Sequence, residues 1–270
     1  MPRPAAPGLR RGAAAAGLTA AAAAVALLAA GLGLDSPPPA RPATASALPA
    51  PVAPAFTPGP PRLLGSARHR SLWAPVKRAA AVRAAPDAAA PLAGMLEPMT
   101  PEGTRTVVAV AERDRDGSGR PWVKVRLAVL PNGTTGWVPR AALGGYGTVR
   151  TRLVVDLDAF SATLLRDGRR LLRVPVGVGT AATPTPTGEF YVRNRLTRYR
   201  SPTYGPIAFG TSARSPQATD WPAGGFVGIH GTDRPDLVPG RVSHGCIRLR
   251  NADILALARR MPVGTPVTIR

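Results

Sequence analysis

The residues able to do covalent chemistry crowd into one short stretch. The chain has a single cysteine, Cys246, and two of its three histidines, His230 and His244, lie in the same segment. It reads Ile229-His230-Gly231-Thr232, then Ser243-His244-Gly245-Cys246-Ile247-Arg248-Leu249. A thiol attacks well only as thiolate, and a free cysteine has a pKa of about 8.5. An imidazole within hydrogen-bond reach supplies the base it needs. Gly245 allows a tight turn beside the sulfur, and the amides of Gly245 and Cys246 could then face a developing oxyanion. The chemistry this set suits is nucleophilic attack by an activated thiol, with backbone donors for the oxyanion that forms. Other readings compete. A lone cysteine is often a small buried hydrophobe. His230, His244 and Cys246 could also bind zinc, but a fourth ligand is missing and the spacing matches no standard site. His69 lies in low-complexity sequence and receives no role.

These side chains need a scaffold that fixes their directions. Phe226–Ile229 is a short apolar run that reads as a strand and aims His230. Leu153–Leu157, Glu189–Val192 and Pro206–Phe209 read as further strands. Thr163–Arg166 and Arg169–Val174 flank Asp167-Gly168, the preferred two-residue hairpin turn. One helix is expected, with Asn251 as its cap and Ile254, Leu257, Ala258 and Met261 at helical spacing. Val263–Ile269 returns as a last strand.

Upstream, Thr106–Ala111, Trp122–Leu127 and Gly136–Pro139 are short strands broken by turns at Asp114–Gly119 and Pro131-Asn132-Gly133. They suggest a small barrel. Residues 35–62 hold ten prolines and read as an extended polyproline II spacer. Residues 63–92 are expected to be mostly disordered, with one short helix around Val76–Ala85. At the start, Arg3, Arg10 and Arg11 precede an uncharged Ala/Leu-rich stretch, residues 12–34. That is the layout of a secretory signal or an uncleaved anchor, and either one exports the rest. The expected organisation is a signal or anchor at 1–34, a linker at 35–92, a small β module at 93–147 and a β-rich domain at 148–270.

The net charge is +20, and only Lys77 and Lys124 among the basic residues are lysine. Such charge suits an anionic envelope or nucleic acid. No five-residue basic run and no aromatic–basic alternation appears, and an export signal disfavours nucleic acid. One cysteine excludes an internal disulfide framework and a multi-cysteine zinc site.

The His-Gly pair, its spacer and the Ser-His-Gly-Cys run resemble the L,D-transpeptidase catalytic domains of bacterial peptidoglycan enzymes, over about Arg152–Arg270. Thr185–Gly188 and the hairpin fit the same texture. Residues 93–147, with Trp122–Val125 and Gly136–Val138, resemble the bacterial SH3-like module. The resemblances imply a mainly β protein: an SH3-like barrel, then a β-sandwich-like catalytic domain with one C-terminal helix. They imply Cys246 as nucleophile, His230 as base, the Gly231 carbonyl orienting His230, and Ser243 and His244 shaping the site. Gly245 and Cys246 would form the oxyanion hole, Arg248 would hold a substrate carboxylate, and Tyr204 would sit on a flap over the substrate. Some family members carry Asn where Arg248 stands, which bears on substrate contacts. The implied partners are peptidoglycan stem peptides and carbapenem-type inhibitors, with no cofactor and no metal. Cross-linking and hydrolysis share the same thioester, so an L,D-carboxypeptidase stays open, as does a non-catalytic wall-binding protein.

Overall fold

The computed structural model describes residues 62–63, 69–197, 201–217, 221 and 224–270. The expected signal or anchor and nearly all of the proline-rich spacer lie outside them. The described chain is built almost wholly from strands, as the β-branched alternation predicts, with one α-helix, Asn251–Ala258 (α1).

The first sheet holds β1 (Arg62–Leu63), β2 (Ser71–Pro75), β3 (Ala80–Arg83), β4 (Leu92–Leu96), β5 (Val107–Arg115), β6 (Pro121–Arg126), β7 (Thr135–Pro139) and β8 (Gly147–Val149). Its order is β4-β3-β7-β6-β5-β2-β8, with β1 also on β5. Two expectations change here. β2, β3 and the first residue of β4 lie where linker and a short helix were expected. In the Ala-rich stretch Leu72, Ala74 and Val76 alternate, and Ala74, Val76 and Val82 join a core with Val108, Val123, Val125 and Val138. The partner strands supply the apolar surface that alanine lacks. The sheet also runs on to Val149, because Ser71 and Leu72 pair with Val149 and Thr148.

The second sheet holds β9 (Thr151–Asp156), β10 (Ser161–Arg166), β11 (Arg169–Pro175), β12 (Gly177–Gly179), β13 (Gly188–Leu196), β14 (Ala208–Arg214), β15 (Phe226–His230), β16 (Gly240–Ser243), β17 (Ile247–Arg248) and β18 (Pro266–Ile269). Their order is β11-β10-β9-β18-β13-β14-β15-β17-β12-β16. Leu153 and Leu164 from one end share a single buried cluster with Ile229 and Ile247 from the other, together with Ile254 and Leu257 of α1. Distant strands can share a core only if the sheet bends round it. The β10–β11 turn is at Asp167-Gly168, with both residues at positive φ.

Asn251 does not cap α1. Arg250 occupies the cap position without a side-chain bond. The Asn251 side chain accepts a hydrogen bond from the Thr232 amide at 3.0 Å instead, pinning the chain just beyond His230 to the helix.

The two sheets are joined by polar contacts as well as by chain. Asn132 exchanges two hydrogen bonds with the Arg214 backbone, at 2.8 and 2.9 Å. The Tyr191 hydroxyl lies 3.3 Å from the carbonyls of Val107 and Arg126. Burial pushes that phenol up to about 12, against the charges of Arg193 and Arg126, so it stays a neutral donor.

Candidate active site

β15 and β17 run side by side in parallel, with Ile229 opposite Ile247 and His230 opposite Arg248. Side chains alternate across a strand. Ile229 and Ile247 therefore enter the core, while His230 and Arg248 share the other face. One step back along each strand, Gly228 stands beside Cys246 on that same face. The Gly228 amide donates to Cys246 Sγ at 3.3 Å, a contact that favours the charged sulfur. Cys246 and His230 are 5% and 2% exposed.

The imidazole is held in one sense. His230 Nδ1 lies 2.6 Å from the Gly231 carbonyl. A carbonyl only accepts, so Nδ1 carries the proton and Nε2 of the neutral ring is left as acceptor. The Tyr204 ring packs against the imidazole at 4.6 Å between centroids. It meets the Trp221 ring edge-on at 5.8 Å. Tyr204 is buried. It lies beside the general-base candidate as a packing partner.

The turn that presents Cys246 is braced from within. Ser243 Oγ donates to the Cys246 carbonyl at 2.6 Å and accepts from the Gly245 amide at 3.2 Å. Gly245 has φ +115°, a conformation costly for any residue with a Cβ. The Gly245 amide thus meets the Ser243 hydroxyl within the turn. A second brace comes from the loop after β12. Thr185 Oγ1 accepts from the Gly179 amide and donates to the Gly245 carbonyl, both at 2.9 Å. Thr183 Oγ1 and the Thr180 amide both reach the Ser243 carbonyl. No motif in the sequence points to Thr180 or Thr183, and Thr185 is visible there only as part of the Thr-Pro-Thr-Gly run. His244 is exposed, on the turn but on the opposite side from the buried Ser243. Arg248 is partly buried, and its Nε makes no hydrogen bond among the described residues.

A sequence match covers the region that holds these residues. Residues 150–269 match the family model of the L,D-transpeptidase catalytic domain. The putative L,D-transpeptidase YkuD of Bacillus subtilis is 38% identical over 122 residues, 45% of this chain and 67% of that protein. The chain belongs to the L,D-transpeptidase family. The probable L,D-transpeptidase ErfK/SrfK of Salmonella typhimurium is 31% identical over 215 residues, covering 64% of this chain and 67% of that one. Among solved structures, the Ldtfm–avibactam carbamoyl enzyme is 31% identical with a TM-score of 0.36. The match covers 44% of this chain and 48% of that one, so the chain spans about half of that protein's length.

One feature beside the candidate site comes from outside residues 150–269. Glu102, in the turn before β5, sends its side chain among residues of β13 and Trp221. It pairs with Arg193 Nη2, and Arg193 Nη1 donates to it at 2.9 Å. Asn194 Nδ2 donates at 3.2 Å and Trp221 Nε1 at 2.5 Å. The Glu102 and Arg193 side chains are 3% and 4% exposed. Burial alone would raise the Glu102 carboxyl, but the hydrogen bonds and charge of Arg193, with the indole, hold it below the ordinary carboxylate range. Phe226 is sandwiched between the guanidinium groups of Arg193 and Arg214, at 3.7 and 4.1 Å.

Proposed function

We propose that the protein is an exported L,D-transpeptidase that uses Cys246 to cut and rejoin peptidoglycan stem peptides. The observation that carries this reading is the pairing of β15 with β17. It sets Cys246 Sγ under the Gly228 amide, on the strand face that carries His230, whose Nδ1 is already committed to Gly231. Nε2 then takes the thiol proton. The thiolate attacks the carbonyl carbon that joins the third stem residue to D-Ala. The backbone amides of Gly245 and Cys246 serve as donors to the developing oxyanion. As the C–N bond breaks, the imidazolium returns its proton to the departing D-Ala amine. The thioester is then attacked by a neutral amine from a neighbouring stem. His230 accepts that proton, and Cys246 leaves as thiolate. The products are D-Ala and a 3→3 cross-link.

Arg248 suits a substrate carboxylate, since its partly buried guanidinium keeps a hydrogen-bond donor without a partner. The +20 charge favours the anionic wall. Residues 1–34 act as signal or anchor, and residues 35–62 act as the reach. The first sheet is an SH3-like wall-binding module.

The test is to supply the full chain with a stem tetrapeptide and an excess of a second stem peptide, then weigh the products. Dimer and free D-Ala are expected. Tripeptide at every acceptor concentration would make the enzyme an L,D-carboxypeptidase. An unmodified Cys246 and unchanged peptide would remove the enzymatic reading.

A further inference from the structure

A buried carboxylate from the first sheet's stretch of chain ends one hydrogen bond away from the ring that covers Gly228 on the strand of His230. Trp221 is almost fully buried. Its indole lies on a bed of glycines. A Cβ on Gly228 would collide with the ring, and one on Gly210 would come within 3.3 Å of it. Gly228 is the residue whose amide holds Cys246 Sγ. The other side of the same indole meets Tyr204, and Tyr204 packs on His230. Trp221, Tyr204 and Cys246 form one apolar cluster, and Ala128 of the first sheet's chain packs against it. Trp221 thus touches the surroundings of both the sulfur and the imidazole.

A flat ring on a glycine bed can slide unless a polar anchor fixes it. The indole has one such handle, Nε1, and its acceptor is Glu102 Oε1 at 2.5 Å. The carboxylate is immobilised in turn. Arg193 reaches both of its oxygens, Arg193 Nε is tied to the Thr211 carbonyl at 3.1 Å, and Asn194 bridges Glu102 to the Gly210 amide.

We propose that Glu102 is a positioning residue for the Cys246–His230 pair, acting through Trp221, so that the upstream sheet is part of the catalytic unit and not only an accessory module. Glu102 touches neither substrate nor reacting atoms. It fixes the indole, which fixes Tyr204 against the imidazole and presses on the Gly228 backbone under the sulfur. This rests on the reading of Cys246 and His230 as nucleophile and base.

The experiment uses the full chain and three variants: Trp221→Phe, Glu102→Gln, and both together. Trp221→Phe keeps an aromatic ring on the glycine bed and leaves the Glu102–Arg193 pair intact, so it isolates the Nε1 bond. Acylation of Cys246 by a carbapenem is followed by mass spectrometry at several concentrations. Each single variant should lower the limiting first-order rate about tenfold or more, as small misplacements do. The half-saturating concentration should stay within about threefold. The double variant should be no slower than the slower single one, because both remove the same link. Nitrogen-15 spectra provide a readout that needs no turnover. Glu102→Gln should move the Trp221 indole signal, and Trp221→Phe should move the His230 ring signals.

Wild-type acylation with unchanged rates in Trp221→Phe would overturn the proposal, and so would effects that multiply in the double variant. Static His230 signals would overturn it even if acylation failed. A wild-type chain that is not acylated, but whose His230 signals respond to Trp221→Phe, would sink the proposed function and leave the positioning link standing. Should Glu102→Gln not fold, the Phe variant decides alone.

Discussion

Replacing Glu102 by leucine should be among the most damaging single changes in the protein, although Glu102 lies outside the family-matched region. The substitution leaves Arg193 with its guanidinium buried and its carboxylate gone. Breaking one side of a buried pair costs about 3–5 kcal/mol, because the remaining charge stays out of water. Trp221 Nε1 and Asn194 Nδ2 also lose an acceptor. Each orphaned donor costs about 1–3 kcal/mol, though not additively. The pair term alone sets a floor of about 3 kcal/mol. For a unit of this size each kcal/mol lowers Tm by about 2–4 °C. Glu102→Leu should therefore melt about 6–20 °C below the wild type. The companion variant Glu102→Leu/Arg193→Met removes the stranded charge and keeps an apolar side chain against Phe226. It should regain at least about 1 kcal/mol over the single variant, since apolar replacement of a whole buried pair is often neutral. Urea unfolding followed by far-UV circular dichroism measures both. A Glu102→Leu loss below about 1 kcal/mol, or a double variant weaker than the single one by the full cost of Arg193→Met alone, would refute the reasoning.

Other outcomes follow from the same geometry. His230→Ala should slow Cys246 acylation about 10²–10⁴-fold, whereas His244→Ala, on the exposed side of the turn, should cost less than that; the reverse order in a stopped assay would exchange their roles. Ser243→Ala removes the hydroxyl that joins the Cys246 carbonyl to the Gly245 amide and should cost about 1–3 kcal/mol by chemical denaturation; an unchanged midpoint would mean the turn holds without it. The Glu102 carboxyl is depressed on folding, so its stabilisation is present above the ordinary carboxylate pKa of about 4.3 and is lost as pH falls through the folded value. Wild-type Tm should fall more steeply below about pH 4 than that of Glu102→Leu, and parallel curves would contradict this. A chain beginning at Thr148 strips the carbonyl partners from Tyr191 and the carboxylate from Arg193; it should unfold cooperatively at lower temperature or fail to fold, and full activity in it would show the upstream sheet to be dispensable.

The sequence is most readable where local pattern and tertiary fate agree. In the second sheet, runs such as Leu153–Leu157 and Phe226–Ile229 carry enough β-branched and apolar residues to mark themselves as strands. The Asp167-Gly168 turn needs positive φ at both positions and has the residues that accept it. Residues 71–96 carry no such mark, because alanine and proline dominate them. What makes strands there is burial against β5 and β7, which no local window contains. Asn251 has the chemistry of a helix cap, but Thr232, nineteen residues earlier in the chain, offers its side chain an amide. A local motif lost to a long-range partner.

The site divides along the same line. Cys246 and His230 sit within short motifs, so their chemistry could be read from residue types and spacing, while the role of the Gly231 carbonyl came with the family resemblance. The groups that hold them in place could not be read that way. Glu102 meets Arg193 across 91 positions and Trp221 across 119, and Thr185 reaches Gly245 across 60. Reactive residues are constrained by the reaction, which demands particular types close together. Positioning residues are constrained only by where the fold brings a donor to an acceptor, and many side-chain types and sequence distances satisfy that. The family match begins at residue 150 and so does not reach Glu102, which answers to Arg193, Asn194 and Trp221 inside it. A carboxylate only 3% exposed, with four donors from the other sheet's side, is a costly feature unless all four are met. That all are met, and that one of them is the ring over Gly228, ties the upstream sheet to the chemistry at Cys246.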